Sequence, residues 1–252
     1  MTTNRKNSFA RSRLGSVLCL LIVGAAAVAL AKVAVAVGMD EGDRVEARCE
    51  PPFLLVGEEF DGVTPPALPP SWSSTTWATS DSGVPTPTAD TLPDAAFVDD
   101  PDTISDKQLL SPNIVPVCDA LGPRISFRNN FNLQDGFDGG VLEVSFDDGL
   151  TFQDIVAAGG RFVTGGYNGT ISSCCGNPLA GRQAWTGSSG GFITTTVDFP
   201  TCSAFILRWR MGSDSSGSGE GWRIDTVAVF QCTNIFRPPR GQPTPHPRPM
   251  AR

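Results

Sequence analysis

The sequence predicts an all-β fold of sandwich or barrel type, and three features of its 252 residues say so. Helical spacing of apolar residues, at intervals of three and four, is hard to find anywhere beyond residue 40. Gly (27) and Pro (21) break the chain into short pieces. Within those pieces β-branched and aromatic residues alternate with polar ones, the two-residue period of a half-buried strand.

Residues 1–36 read as a secretion signal: Arg5, Lys6, Arg11 and Arg13 precede an apolar run from Leu14 to Ala31 that holds no acidic residue. Cleavage is expected after Ala29-Leu30-Ala31 or Ala34-Val35-Ala36. The alternative is retention as an anchor, because the run approaches the roughly 17–25 apolar residues that span a bilayer. Residues 37–57 form an N-terminal irregular segment, with strand-like character from Phe53, and the predicted domain occupies 58–232, enough chain for one core. Residues 61–93 are rich in Pro, Ser and Thr and contain Trp72 and Trp77. Two tryptophans are costly to leave in water, so a long ordered loop over the sandwich is expected here.

The clearest strands are 123–131, 139–147, 191–199, 203–212 and 221–231. In the second, Leu142, Val144 and Phe146 face one way and Glu143 and Ser145 the other, as in a half-buried strand. Leu207, Trp209 and Met211 alternate in the same way with Arg208 and Arg210, which puts Trp209 in the core. Val227-Ala228-Val229-Phe230 is apolar on both faces and is expected at the centre of a sheet. Residues 233–252 are a Pro/Arg-rich tail that cannot build a core and is read as disordered and extended.

Residues 37–232 carry ten basic and 26 acidic side chains, a net charge of −16. Such a surface repels phosphate backbones and anionic lipid, so nucleic acid is excluded as a partner, as is a membrane beyond the export signal, while bound cations are favoured. Six cysteines follow the signal: Cys49, Cys118, Cys174, Cys175, Cys202 and Cys232. In an exported chain they indicate disulfides. A bridge from Cys49 to Cys232 would tie the domain ends together. Cys174 and Cys175 are expected to reach out to Cys118 and Cys202, because a bridge between neighbours forces an unusual peptide geometry.

Ser145-Phe146-Asp147-Asp148-Gly149-Leu150-Thr151-Phe152 fits the S-x-D-x-G-x-T-[WF] pattern of an Asp-box hairpin. Asp148-Gly149 tolerates positive φ in the tight turn and Asp147 can cap backbone N–H groups. The lone copy does not support a sialidase-type propeller, which repeats the box around its blades. The single histidine, His246, lies in the tail, so a Ser-His-Asp triad, a Cys-His pair and a His-ligated hydrolytic zinc are excluded from the domain. Acidic clusters occur at Glu58-Glu59-Phe60-Asp61, at Asp99-Asp100-Pro101-Asp102 with Asp106, at Asp135 and Asp138, and at Asp225. Loops of this kind can supply calcium with carboxylates that are distant in sequence, and pairing of the first and last strands would bring Glu59 or Asp61 towards Asp225.

The segments EEFDGVTPPALPPSW (58–72), AAFVDDPDTISDKQLLSP (95–112), FDGGVLEVSFDDGLTF (137–152), GGYNGT (165–170), NPLAGRQAW (177–185) and GSDSSGSGEGWRIDTVAVF (212–230) follow in one order. Their succession resembles the MAM-like jelly-roll modules of secreted bacterial proteins that accompany immune inhibitor A-type metallopeptidases, related to cleaved-adhesin domains. The resemblance implies a two-sheet jelly roll of galactose-binding-like architecture, often with structural calcium. It points to Glu59, Asp61, Asp106 and Asp225 as metal ligands. This chain departs from the family where Asp225 is followed by Thr226 instead of a second acid, and it holds no H-E-x-x-H peptidase motif.

The function expected from these readings is that of a secreted, non-catalytic binding module for a glycan or an extracellular protein, with a scaffolding component of the cell envelope or matrix as the alternative. Tyr167, Trp77, Trp72 and Trp185 are the expected ligand-contacting aromatics, since a flat ring on a loop can stack on a sugar or anchor a protein. For Trp72 and Trp185, burial under a loop competes with that role, and Tyr167, beside Gly165 and Gly166, is the better candidate.

Overall fold

Alternating strands separated by glycine- and proline-rich turns build two antiparallel sheets in the computed structural model, which describes residues 53–118 and 121–232. The export signal, Cys49 and the 233–252 tail lie outside the described residues.

The first sheet contains β1 (Phe53–Glu58), β2 (Ala78–Ser80), β3 (Ala95–Val98), β5 (Arg124–Asn132), β8 (Arg161–Thr164), β11 (Ile193–Asp198) and β13 (Gly221–Gln231). Its order is β2-β3-β13-β5-β11-β8, with β1 also paired to β13. The second runs β4 (Ser105–Leu110), β12 (Ile206–Ser213), β6 (Gly139–Ser145) and β7 (Gln153–Asp154). A two-stranded piece joins β9 (Gly169–Thr170) to β10 (Gln183–Ala184). The sheet therefore begins at Phe53, ahead of the domain boundary drawn at residue 58.

Strand β13 is central, as its apolar run requires. Along one side it pairs with β5; along the other, Trp222–Ile224 pair with β3 and Val227–Gln231 with β1. The changeover falls at Asp225–Thr226, where the register slips and Thr226 adopts φ 47°. Between the sheets, Ile125, Phe127, Val197, Trp222, Ile224 and Val229 meet Leu109, Leu142, Val144, Leu207, Trp209 and Met211, all buried. Each tryptophan of this layer buries about 150–250 Å², worth roughly 4–6 kcal/mol at 25 cal/mol per Å². Gly140 exists because of this packing: a Cβ there would stand 2.5 Å from the Trp222 ring.

Two expectations need correction. Strand β6 is buried along its whole length, Glu143 and Ser145 included, because irregular chain covers its outer face; Phe146, beyond its end, is 42 % exposed. Cys174 and Cys175 bond to each other instead of reaching Cys118 and Cys202. Their turn, with Cys175 at φ 69° and Gly176 at φ 85°, supplies the backbone that a bridge between neighbours needs. Cys232 is disulfide-bonded, and the Cys118 Sγ–H donates to the Cys202 carbonyl at 3.3 Å.

The segment over residues 61–93, which includes β2, is anchored on the two sheets by its tryptophans. Trp72 packs edge-on to Phe60 and tilted against Trp209, while Trp77 meets Trp222 edge-on. The Asp-box forms as its residues dictate. Asp148 and Gly149 take φ 56° and 86°, the Ser145 hydroxyl accepts from Gly149 N–H at 2.8 Å, and Asp147 accepts from the Thr151 amide at 2.9 Å and the Thr151 hydroxyl at 2.6 Å. The Thr151 and Ser145 hydrogen bonds lower the Asp147 pKa to about 2. This carboxylate therefore adds stability above its unfolded value near 3.8 and loses it as pH falls through about 2. We expect an NMR carboxyl titration to give a midpoint near 2, moving up in Thr151→Val. A midpoint at the ordinary aspartate value would show that the hairpin bonds do not form in solution.

Candidate functional site

On β12 the alternation that buries Trp209 turns Arg208 and Arg210 to the outer face of the four-stranded sheet. Register places Arg208 opposite Glu143, which in turn lies opposite Asp154, and places Arg210 opposite Gln108 and Val141. The result is a charge network. Glu143 accepts from Arg182 at 2.5 Å and from Arg208 Nε at 2.6 Å, and stands 3.5 Å from Arg210. Arg182 also donates to Asp154 at 2.9 Å, Arg208 to Gln108 at 2.9 Å, and Arg210 grips Asp106 with two bonds of 2.7 and 2.8 Å. The Arg210 bonds hold the Asp106 carboxyl below its ordinary pKa. Arg208 additionally lies 3.8 Å over the Phe152 ring.

The chain from Gly165 to Trp185 folds across one end of this face. Ile171, Leu179 and Ala184 pack on Val141 there, forming a second small core beside Tyr167. At the margin of that flap lies a cleft of about 640 Å³, lined by Asp154, Val156, Phe162, Tyr167, Arg182 and Gln183. The Tyr167 hydroxyl accepts from Leu142 N–H at 3.0 Å and stands 3.0 Å from Asp154 Oδ2. Its ring meets Phe162 and Trp185 edge-on, each at 4.8 Å. Burial and the Asp154 charge raise the Tyr167 pKa, so this hydroxyl stays protonated. The wall is apolar and aromatic, and the polar groups are a guanidinium, a carboxylate and a carboxamide. Arg182 bonds both Glu143 and Asp154 and so fixes the two carboxylates at the margin of the cleft.

Of the four aromatics expected at a ligand, the structure brings only Tyr167 to a cleft. Trp72 (7 % exposed), Trp77 (4 %) and Trp185 (0 %) are core residues, a correction to the expected contacts. Trp185 also donates its indole N–H to the Gly165 carbonyl at 2.9 Å. Burying such large rings within the domain outweighs leaving them on loops. Among the described residues the four acids expected to share a metal do not form one cluster, although the pairing of β1 with β13 brings Asp61 within electrostatic reach of Asp225. Asp106 is on the four-stranded sheet with Arg210, Glu59 is exposed, Asp61 accepts from Asp94 N–H at 2.9 Å, and Asp225 is buried under residues 90 and 91. Burial pushes the Asp225 pKa up to about 6 against the pull of the Thr91, Asp90 and Thr226 amides, and Asp61 adds to the rise. Sequence reasoning missed Arg182, Asp154 and Gln183. The signal present in the sequence was the alternation at 208–210, which turns Arg208 and Arg210 to one face of a strand.

No family model matches the chain, and no curated protein does. Solved structures do show likeness. A cleaved adhesin domain of Lys-gingipain from Porphyromonas gingivalis is 15 % identical, with 71 % of this chain and 98 % of that one covered and a TM-score of 0.41. The xylan-binding CBM22-1 domain from Paenibacillus barcinonensis is 9 % identical, with 73 % and 97 % covered and a TM-score of 0.41. A family 22 carbohydrate-binding module from Clostridium thermocellum is 10 % identical, with 73 % and 97 % covered and a TM-score of 0.38.

Proposed function

We propose that this chain is a secreted, non-catalytic binding module whose cleft beside Tyr167 takes a glycan. The observation that supports this reading is the chemistry of that cleft. Phe162 and Tyr167 give an apolar wall, while Arg182, Asp154 and Gln183 give fixed donors and acceptors at its margin. A sugar presents both an apolar ring face and a fringe of hydroxyls, and a concave site with a few convergent polar groups suits it. The polar groups are held before any ligand arrives, since Arg182 is already clamped by Glu143 and Asp154. Such preorganisation reduces the ordering cost of binding. Disulfides at Cys174–Cys175 and at Cys232 support an oxidising location outside the cytoplasm.

A glycan array tests the proposal. Val156 is 49 % exposed at the cleft and Gln183 is also exposed, so their substitution spares the core. We expect Val156→Arg to abolish glycan binding with an unchanged melting temperature, and Gln183→Ala to weaken it by about tenfold, equivalent to about 1.4 kcal/mol. A blank array, or binding that ignores both substitutions, would move the assignment to a scaffolding role.

A further inference from the structure

At one end of the sandwich, the chain leaving β3, β5 and β12 meets the chain entering β6 and β13, and Asp100, Gln134 and Asp138 are brought together there, the Gln134 backbone bonding both acids. Asp138 is 0 % exposed and Asp100 is 5 % exposed. Half of each carboxylate is satisfied by backbone. Asp100 Oδ2 accepts from Gly219 N–H at 2.7 Å and Gln134 N–H at 3.1 Å, and Asp138 Oδ1 accepts from Asp214 N–H at 2.6 Å. The other halves are not. Asp100 Oδ1, Asp138 Oδ2 and Gln134 Oε1 are buried and accept from no N–H or hydroxyl donor, and the Asp100 and Asp138 carboxyl groups lie within hydrogen-bonding reach of each other.

Buried oxygens without a donor are costly, and for two adjacent carboxylates the cost includes their mutual repulsion. The residues around them do not remove it. Lys107 is the cation acting on Asp100, but its ammonium is bound to Asp99, at 2.6 Å from the carboxylate and 3.0 Å from the carbonyl. The third neighbouring carboxylate, Asp214, adds negative charge. Local structure nevertheless holds the group in place. Asp138 N–H donates to the Gln134 carbonyl at 2.9 Å, and the Thr186 hydroxyl bonds the Asp138 carbonyl at 2.7 Å. Gly217, at φ 79°, leaves room for the Gln134 carboxamide, since a Cβ there would overlap it.

We propose that Asp100, Asp138 and the Gln134 carboxamide oxygen hold a calcium ion that locks this end of the sandwich. Among the described residues no trio of His, Cys, Asp or Glu side chains groups around one point, so the set is mixed, two carboxylates and one amide oxygen. Calcium accepts such a set, because it takes six to eight oxygens from carboxylates, amides, backbone carbonyls and water in flexible geometry. Glu59, Asp61, Asp106 and Asp225 play no part in this site, and the proposal stands apart from the glycan cleft.

The test is calcium titration calorimetry on the chelator-treated full chain, with thermal melts in calcium and in chelator at pH 6 and pH 8. Calcium is expected to bind and to raise the melting temperature. Asp138→Asn should weaken binding by about tenfold or more and abolish the shift. Gln134→Ala removes a half-buried side chain without emptying the core, and should weaken calcium several-fold even if the Asp138 variant does not fold. Asp225→Asn should leave calcium affinity unchanged. No binding heat in the unmodified chain overturns the proposal, as does binding that survives Gln134→Ala and Asp138→Asn. A melt that depends on pH and not on calcium also overturns it, by showing that Asp100 and Asp138 share a proton.

Discussion

Glu143→Ala is expected to destabilise the domain by about 3–5 kcal/mol, the cost of stripping one partner from a buried ion cluster. The Glu143 side chain is 3 % exposed, and the three arginines around it are 13 % (Arg208), 19 % (Arg210) and 26 % (Arg182) exposed. They do not suffer equally. Arg182 keeps Asp154 and Arg210 keeps Asp106, but Arg208 has Glu143 as its carboxylate and otherwise only the Gln108 amide and the Phe152 ring. Burial already lowers the Arg208 pKa, so the loss of Glu143 leaves a desolvated cation with little to balance it. A double-mutant cycle separates this from simple loss of packing. Arg208→Leu together with Glu143→Leu should recover much of the stability that Glu143→Ala loses, because an apolar pair of similar volume avoids the desolvation cost. Denaturant unfolding gives the values, and a loss below about 1 kcal/mol for Glu143→Ala would place the cluster in solvent-like surroundings.

The same residues show what a sequence of this kind discloses about its fold. Two-residue alternation was sufficient to place Leu207, Trp209 and Met211 inside and Arg208 and Arg210 outside, because a strand's faces follow from its pleat. The Asp-box was legible because its bonds span only four residues. What alternation cannot disclose is a third layer. The Gly165–Trp185 flap and the 61–93 loop have no period, yet they bury Glu143 and Arg223 on faces that alternation leaves open to water. The cleft was hidden for the same reason. Its members, Asp154, Phe162, Tyr167, Arg182 and Gln183, come from separate short elements whose meeting depends on where the flap lands. The cysteine pairing failed on a local matter: the positive-φ turn at Cys175–Gly176 makes possible the bridge that an ordinary peptide would resist.

Arg223 gives the second large effect. It lies on β13 with 0 % exposure, yet it forms no ion pair among the described residues. Its guanidinium instead donates to the carbonyls of Ser82 at 2.6 Å, Thr88 at 3.0 Å, Ser80 and Pro85 at 3.1 Å, and Val84 at 3.4 Å, and stacks 4.6 Å from the Phe97 ring. Pro85, Pro87 and Pro93 have no N–H to contribute to bonding within this segment, and the planar fork of an arginine supplies donors to its carbonyls instead. Burial depresses the Arg223 pKa to about 10, partly offset by Asp81, so the cation is retained at neutral pH. Arg223→Leu should therefore cost about 3–5 kcal/mol, and Arg223→Lys nearly as much, because a point charge with three donors cannot reach carbonyls arranged around a fork. The loss should be local before it is global. Hydrogen exchange at the amides of Asp90 and Thr91, held by Asp225 at 2.7 and 3.0 Å, should quicken in both variants, while that of β12 follows only the fall in overall stability. Equal protection of Asp90 and Thr91 in Arg223→Leu would mean that the loop is held by its tryptophans alone and that the buried guanidinium contributes nothing to it.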